Sequence, residues 1–298
     1  MLRTDIWRVG ILRASMNRII TAGTIENIDT TWLTASDPLQ YLADPFGIWR
    51  DERLYVFMEL FDYRTHRGGI DVAVYDATLA PLAPRRAVLR EPWHLSYPFV
   101  FEADGETWML PEAWNSGRLS LYRAIEFPWH WQREPRFTFP VAAIDSTPIH
   151  AGDEWWLFYT PPGNTKALRR SVLKLARASS LFGPWREMEL PPVRVGLDGS
   201  RMGGTPIQHA GTWWLPTQDC RATYGAGVQL QRLPDPAEPR HLETVGAPIR
   251  APAAQPPYTR GLHTLSAAGP FTLVDTKRTF RSWRRLLPEA LRRLRPAR

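Results

Sequence analysis

The sequence predicts an all-β fold. It reads as a five-bladed β-propeller whose fifth blade is closed by N-terminal strands, with a short C-terminal basic amphipathic helix. Three observations carry this reading. A unit of two short apolar runs, separated by a turn, occurs five times in 298 residues. Its spacing is nearly constant: Pro45 to Pro98 is 53 residues, Pro98 to Pro148 is 50 and Pro148 to Pro206 is 58. The runs have strand length and are rich in Val, Ile, Trp, Tyr and Phe, which suit a pleated surface. An irregular β-sandwich is the competing architecture, and it needs the hairpins to be alike by chance.

The first copy is Tyr41-Leu42-Ala43-Asp44-Pro45-Phe46-Gly47-Ile48, a charged turn, then Leu54-Tyr55-Val56-Phe57-Met58-Glu59. The second pairs Leu95-Ser96-Tyr97-Pro98-Phe99-Val100-Phe101 with Thr107-Trp108-Met109-Leu110-Pro111-Glu112. The third pairs Ile144-Asp145-Ser146-Thr147-Pro148-Ile149 with Glu154-Trp155-Trp156-Leu157-Phe158-Tyr159. The fourth runs from Gly203-Gly204-Thr205-Pro206-Ile207 to Thr212-Trp213-Trp214-Leu215-Pro216-Thr217-Gln218-Asp219. A degenerate fifth holds Gly261-Leu262-His263-Thr264-Leu265 and Phe271-Thr272-Leu273-Val274-Asp275. Alternating runs at 70–75, 118–124, 171–176 and 227–233 follow as third strands. Segments near 87–89, 136–139 and 187–190 fit as outer strands. Residues 234–257, rich in Pro and Ala, read as a surface connection.

Two N-terminal runs, Ile6-Trp7-Arg8-Val9-Gly10-Ile11-Leu12 and Thr30-Thr31-Trp32-Leu33, have no copy of their own. A propeller left open would expose unpaired strand edges. These runs are therefore assigned to the outer strands of the fifth blade. The blades span roughly 41–92, 93–142, 143–198, 199–257, and 258–277 with 1–40, as one domain of residues 1–277.

Bulk properties narrow the function. The hydrophobic share of 44% supports a buried core, and 28 Pro, about twice the usual share, suit many turns. A single cysteine, Cys220, excludes an internal disulfide. The first residues lack the pattern of a secretion signal, and no run has the roughly 18 apolar residues of a membrane span. A cytoplasmic location is expected, with membrane association through the tail. The net charge of +7 equals the surplus of residues 278–298 alone, eight Arg against one Glu. The body is neutral, which argues against nucleic acid as partner. In the tail, Trp283, Leu286, Leu287, Ala290, Leu291 and Leu294 fall at helical spacing, interrupted at Pro288. Such a helix lies on an anionic membrane surface or packs on the propeller or a partner.

The first strand of each propeller blade lines the central channel. This places Asp44, Tyr97, Asp145, Gly203 or Arg201, and His263 around one pocket, with Glu59, Glu112, Gln218 and Asp219 beside them or one layer out. Carboxylates with Arg and His in one funnel suit sugar or phosphate chemistry. His94 is a further candidate ligand contact. Each acid alternatively bonds backbone amides of a neighbouring blade. Metal-ligand spacings, phosphate-cradling Gly loops and Gly-x-Ser-x-Gly elbows are missing, so no metal or cofactor is expected.

Ala43-Asp44-Pro45 and Ile144-Asp145 resemble the base and the pKa-tuning aspartate of five-bladed glycoside hydrolases of the arabinanase and β-xylosidase type. In that type the fourth blade carries a Glu-Gly-Pro acid, where this sequence has Ser200-Arg201-Met202-Gly203-Gly204-Thr205-Pro206. The resemblance therefore implies an acid relocated, to Glu112 or Asp219, or missing. Over nearly the whole chain, Ala43-Asp44-Pro45-Phe46, His94-Leu95-Ser96-Tyr97-Pro98-Phe99-Val100-Phe101-Glu102, Met109-Leu110-Pro111-Glu112, Gln218-Asp219-Cys220 with Tyr224-Gly225, and Gly261-Leu262-His263-Thr264 resemble the N-terminal propeller domain of glucosamine inositolphosphorylceramide transferases. This implies a carbohydrate-active protein of polysaccharide or glycolipid assembly. The leading expectation is glycosyl transfer. A non-catalytic glycan-binding module working with a partner transferase, and a furanosidase-like hydrolase, are the alternatives. Asp44 would be base or nucleophile, Asp145 its tuner, and Glu112 or Asp219 the acid. Arg201, Arg221 and Arg260 would hold an anionic, nucleotide- or lipid-phosphate-linked sugar substrate.

Overall fold

The computed structural model describes residues 1–189, 191–236 and 238–283, and Ala290 of the tail. Five antiparallel sheets form the five expected blades. The first blade is Gln40–Arg50, Arg53–Asp62, Arg67–Asp76 and Pro81–Leu89. The second is Ser96–Ala103, Glu106–Glu112, Tyr122–Glu126 and His130–Arg133. The third is Ile144–Ala151, Glu154–Thr160, Val172–Ala178 and Arg186–Glu187, with Arg194–Val195 also on its third strand. The fourth is Asp198–Met202 with Ile207–His209, then Thr212–Asp219, Gly227–Leu233 and Glu243–Ile249. The fifth is Leu265–Ala268 and Phe271–Ser282, completed by Leu2–Leu12 and Thr30–Leu33.

The closure is as the unpartnered runs require. Leu2–Leu12 pairs with Phe271–Ser282 along eleven residue pairs, from Leu2↔Ser282 to Leu12↔Thr272. Between Leu2–Leu12 and Thr30–Leu33 lies a short helix, Met16–Ala22, that the sequence reading did not foresee. Ser15 caps its start through its hydroxyl, Gly23 ends it in the left-handed conformation, and Met16, Ile19 and Ile20 are buried. Seven residues are too few for a clear helical period.

Three details differ from the sequence reading. The ladder of Phe271–Ser282 continues past Lys277, because Leu2–Ile6 supplies partners, so Arg278 and Arg281 belong to the propeller and not to the tail. The second blade's outer strand is His130–Arg133, not 136–139, because a turn at 127–129 folds the chain straight back on Tyr122–Glu126. The 234–257 connection contains the fourth blade's outer strand, since Glu243–Ile249 pairs with Gly227–Leu233. The helix read over the tail lies outside the described residues.

A shared distortion positions the site. In the first three blades the inner strand bulges against its neighbour between Ala43 and Phe46, Ser96 and Phe99, and Ile144 and Thr147. Each bulge holds one non-glycine residue in the left-handed region: Asp44 at φ 49°, Tyr97 at φ 46° and Asp145 at φ 48°. Such residues are uncommon and cluster at functional sites. The register also shows that Ser146, not Pro148, stands where Pro45 and Pro98 stand. In the fourth blade the inner strand breaks at Gly203-Gly204. A Cβ on Gly204 would lie 1.9 Å from the Leu265 carbonyl oxygen, so only glycine lets this strand bridge to the fifth blade.

Apolar faces of adjacent blades form the core. Phe46 of the first blade meets Tyr97 and Phe99 of the second at ring distances of 4.7 and 5.3 Å. No helix among the described residues is long and apolar enough to cross a membrane.

Candidate active site

A cavity of about 200 Å³ opens where the bulges converge. Asp44, Glu59, His94, Glu112, Arg201 and His263, all expected at the site, line it. The volume is below the roughly 300–1,000 Å³ of a drug-sized pocket and suits one sugar ring. Two aromatic groups wall it. Trp7 stacks on His263 at 3.9 Å and 11°, with Tyr224 edge-on to His263. Tyr41 stacks on Phe61 at 4.8 Å, and Phe61 meets His94 edge-on.

On the first wall, His263 links two carboxylates. Its Nδ1 is 2.6 Å from Asp275 and its Nε2 is 3.5 Å from Asp44. Asp275 also accepts the backbone N–H groups of Asp44, His263 and Thr264, which fixes the relay. Burial alone would keep the imidazole neutral, but Asp275 and Asp44 outweigh it and raise the His263 pKa. The ligand atoms of Asp44, His263 and Asp275 lie within 4.8 Å of one another, a metal-like spacing assembled from residues far apart in sequence. Their hydrogen bonds account for this arrangement.

Asp44 accepts the Tyr97 N–H and the Thr264 hydroxyl, each at 3.2 Å. Burial raises its pKa to about 6; His263 opposes that, and the nearby carboxylates Asp275 and Asp145 add to it. Across the cavity, Glu112 accepts the Ser96 hydroxyl at 2.8 Å and the Trp114 N–H at 2.7 Å. Burial dominates here too and pushes its pKa to about 7. Glu59 is held well above the ordinary carboxyl range by burial and by Asp44 and Glu112. Its Oε1 has no hydrogen-bond partner among the described residues and lies against the cavity.

His94 sits between the last two acids, its Nε2 3.7 Å from Glu59 and 4.0 Å from Glu112. Its Nδ1 accepts the Gly68 N–H at 2.7 Å, so in the neutral ring Nε2 carries the proton. Burial lowers its pKa to about 4, which keeps the ring neutral at ordinary pH. Gly68 permits this approach: a Cβ there would lie 2.5 Å from Glu59 Oε1.

Beneath the cavity, Asp145 is 2% exposed and is gripped by Arg201 through Nε and Nη2. Gln218 donates to the same carboxylate at 3.0 Å. Tyr97 crosses the channel: its hydroxyl meets Thr147 at 2.9 Å and accepts the Gly204 N–H at 3.1 Å. Asp145, Gln218 and Tyr97 therefore support the cavity and do not line it.

The structure does not bring Asp219, Arg221 and Arg260 to this cavity. Asp219 pairs with Arg221 at 2.9 Å and with Arg250 at 2.7 Å. Burial would raise its pKa, but these guanidiniums outweigh burial and lower it, so Asp219 is a poor proton donor. Trp7, Tyr41, Phe61, Ser96, Trp114, Tyr224 and Asp275 escaped the sequence reading. Asp275 had a signal as the acid closing the fifth copy, and Ser96 and Tyr224 lay in the runs that resemble the transferase family.

A carboxyl held protonated by the fold stabilises at low pH, and that contribution is lost as pH rises from the ordinary carboxyl range through about 7. Glu112→Gln cannot ionise. It should raise the melting temperature at about pH 8, by up to about 3 kcal/mol of stability, and change it little near pH 4.5. A lower melting temperature at both values would refute the protonated assignment.

The fold and cavity together define a class, the five-bladed propellers with carboxylates at the mouth of a central channel. In fold the chain is similar to the catalytic domain of Coprinopsis cinerea GH62 α-L-arabinofuranosidase, with TM-score 0.60 and 13% identity over 82% of this chain and 93% of that one. It is also similar to Cellvibrio cellulosa α-L-arabinanase, with TM-score 0.51 and 15% identity over 68% and 77%. The family is set by sequence. The model described as glucosamine inositolphosphorylceramide transferase 1, N-terminal, matches residues 17–248, and the chain belongs to that family. It is 32% identical over 219 residues to glucosamine inositolphosphorylceramide transferase 1 of Arabidopsis thaliana, covering 73% of this chain and 28% of that protein. To the protein of the same name from Oryza sativa subsp. indica it is 33% identical over 198 residues, 66% of this chain and 26% of that one. The chain thus spans about a quarter of the length of these curated relatives.

Proposed function

We propose that this chain is a sugar-handling glycosyl-transfer domain of glycolipid or polysaccharide assembly, with its chemistry in the central cavity. The observation that carries the reading is one small cavity holding two carboxyls with pKa values raised to about 6 and about 7. Paired acids set apart by their surroundings are the mark of acid–base division of labour. Asp44, ionised above about pH 6, takes the proton of the acceptor hydroxyl as its oxygen bonds the anomeric carbon. Glu112, protonated below about pH 7, gives its proton to the leaving oxygen as the old bond breaks. Arg201 holds Asp145 as a fixed counter-charge below Asp44. The aromatic walls meet the apolar C–H face of the ring, and Glu59 and His94 meet its hydroxyls.

The family name supports a sugar such as glucosamine and a phosphoryl-lipid acceptor. The test is transfer from a panel of sugar nucleotides to inositol-phosphate lipids, with water as control acceptor. Release to water alone would replace transfer by hydrolysis. Turnover should be bell-shaped, rising through about pH 6 and falling above about 7. A flat profile between about pH 5 and 8 would sink the assignment of these two acids.

A second reading is a glycan-binding module serving a separate transferase. It is favoured by Arg201, a base on the inner strand where the hydrolase-type propellers carry their acid. Sugar binding without turnover on any panel member would establish it.

A further inference from the structure

A second cavity, of about 540 Å³, lies beside the first and uses none of its lining residues. Arg3, Arg250 and Arg260 line it, with Thr223, Thr259 and Thr279. Three stretches of chain serve both cavities. Arg3 is four residues from Trp7 on one strand, Thr223 adjoins Tyr224, and Arg260 precedes His263 by three. The partition between them is thin and built from backbone: Leu262 N–H bonds the Gly225 carbonyl at 2.9 Å, and a Cβ on Gly261 would lie 2.3 Å from that same oxygen. The loop holding Thr223 leaves the end of Thr212–Asp219, the strand end that corresponds to Glu59 and Glu112 in the first two blades. Both cavities therefore open on one face.

The charges at this cavity do not cancel. Asp219 is shared by Arg250 and Arg221, and Asp5 lies 3.5 Å from Arg3 and 3.7 Å from Lys277. Arg3 also donates to the Thr223 hydroxyl at 3.1 Å. The Arg260 side chain makes no hydrogen bond or ion pair with any described residue, although its own N–H is fixed to the Lys277 carbonyl at 2.9 Å. Of the three guanidiniums that line the cavity, Arg250 pairs with Asp219 and Arg3 with Asp5, which also accepts the Thr279 hydroxyl at 2.6 Å, and Arg260 is left over. A structural cluster would pair each Arg; this one leaves a fixed backbone presenting a spare guanidinium to a cavity. Planar N–H forks beside hydroxyl donors match a tetrahedral oxyanion with several acceptor oxygens.

We propose that this second cavity is a phosphoryl subsite, which takes the phosphate of the substrate whose sugar ring enters the central cavity. The link to one substrate rests on the sugar reading above; anion binding itself does not. The volume exceeds a single phosphate and leaves room for a diphosphate or for a phosphodiester with its first attached group.

The test is calorimetric titration of the full chain with inorganic phosphate. Native protein and Glu112→Gln should bind it alike, and Arg260→Ala and Arg3→Ala should each weaken binding by about tenfold or more. Arg260 is exposed, so its variant should melt with the native chain, and Arg260→Lys should recover part of the affinity. No binding to the native chain, or equal binding in the two Ala variants, overturns the subsite. Competition by a nucleoside diphosphate identifies a nucleotide-linked substrate, and competition by a short-chain lipid phosphate a lipid-linked one. Competition by neither overturns the substrate link. If no sugar binds the central cavity while Arg260→Ala still loses phosphate, the sugar reading fails and the subsite stands.

Discussion

Asp44→Asn is expected to lower turnover by about a hundred- to ten-thousandfold, the share that a positioned general base supplies, while sugar binding stays within a few-fold of the native chain. Asn keeps an oxygen that can accept the Tyr97 N–H or the Thr264 hydroxyl, the bonds that hold Asp44 in place. What it cannot do is accept a proton. It also removes one of the two carboxylates that raise the His263 pKa. The relay from Asp275 through His263 survives, because Asp275 is anchored by three backbone N–H groups. Turnover and binding measured on the same preparation decide the point. Unimpaired turnover would remove Asp44 from the chemistry. Equal binding with no turnover in either protein would favour the binding module.

Arg201→Ala is expected to cost about 3–5 kcal/mol of stability, because it strands a buried charge. Asp145 is 2% exposed and would keep only the Gln218 amide as a side-chain donor. Arg201 itself is pinned, donating from Nη1 to the Arg169 carbonyl at 3.0 Å, and its side chain is only 13% exposed. Denaturant unfolding of Arg201→Ala, Arg201→Met and Arg201→Ala/Asp145→Asn separates charge from volume. Arg201→Met should lose nearly as much as Arg201→Ala, and the double variant should recover much of the loss. If Arg201→Met is as stable as the native chain, the pair does not hold Asp145, and packing alone explains the residue.

Much of this is legible in the sequence. A short unit repeated at a steady period can only bury its apolar faces against its own copies, so the period implied the ring. The two N-terminal runs without a copy implied closure of the fifth blade, since an open edge leaves a row of unpaired N–H and C=O groups. Position within the unit then located Asp44, Glu59, Glu112, Arg201 and His263 at the centre, because equivalent residues of a radial array converge on its axis. His94 was found by its place at the head of the second copy.

The same reasoning misplaced Asp219. Equivalence between copies says which layer a residue occupies, but not which neighbour its side chain reaches. Asp219 corresponds to Glu59 and Glu112 in register, yet it turns to Arg221 and Arg250. The register of the third copy was likewise hidden, since Pro148 looked like the repeat's proline while the bulge fell on Asp145-Ser146.

The sequence by itself determined the architecture of this protein: five blades, their order, their closure and the ring of acids facing the axis. These follow from periodicity and from the need to bury apolar faces and pair strand edges, both readable along one dimension. Tertiary structure decided which acids carry protons. That depends on burial and on partners from distant segments: Asp275 and His263 against Asp44, Ser96 and the Trp114 amide on Glu112, Arg201 on Asp145. Desolvation and charge pairing act through space over a few ångströms, and no spacing along the chain encodes them.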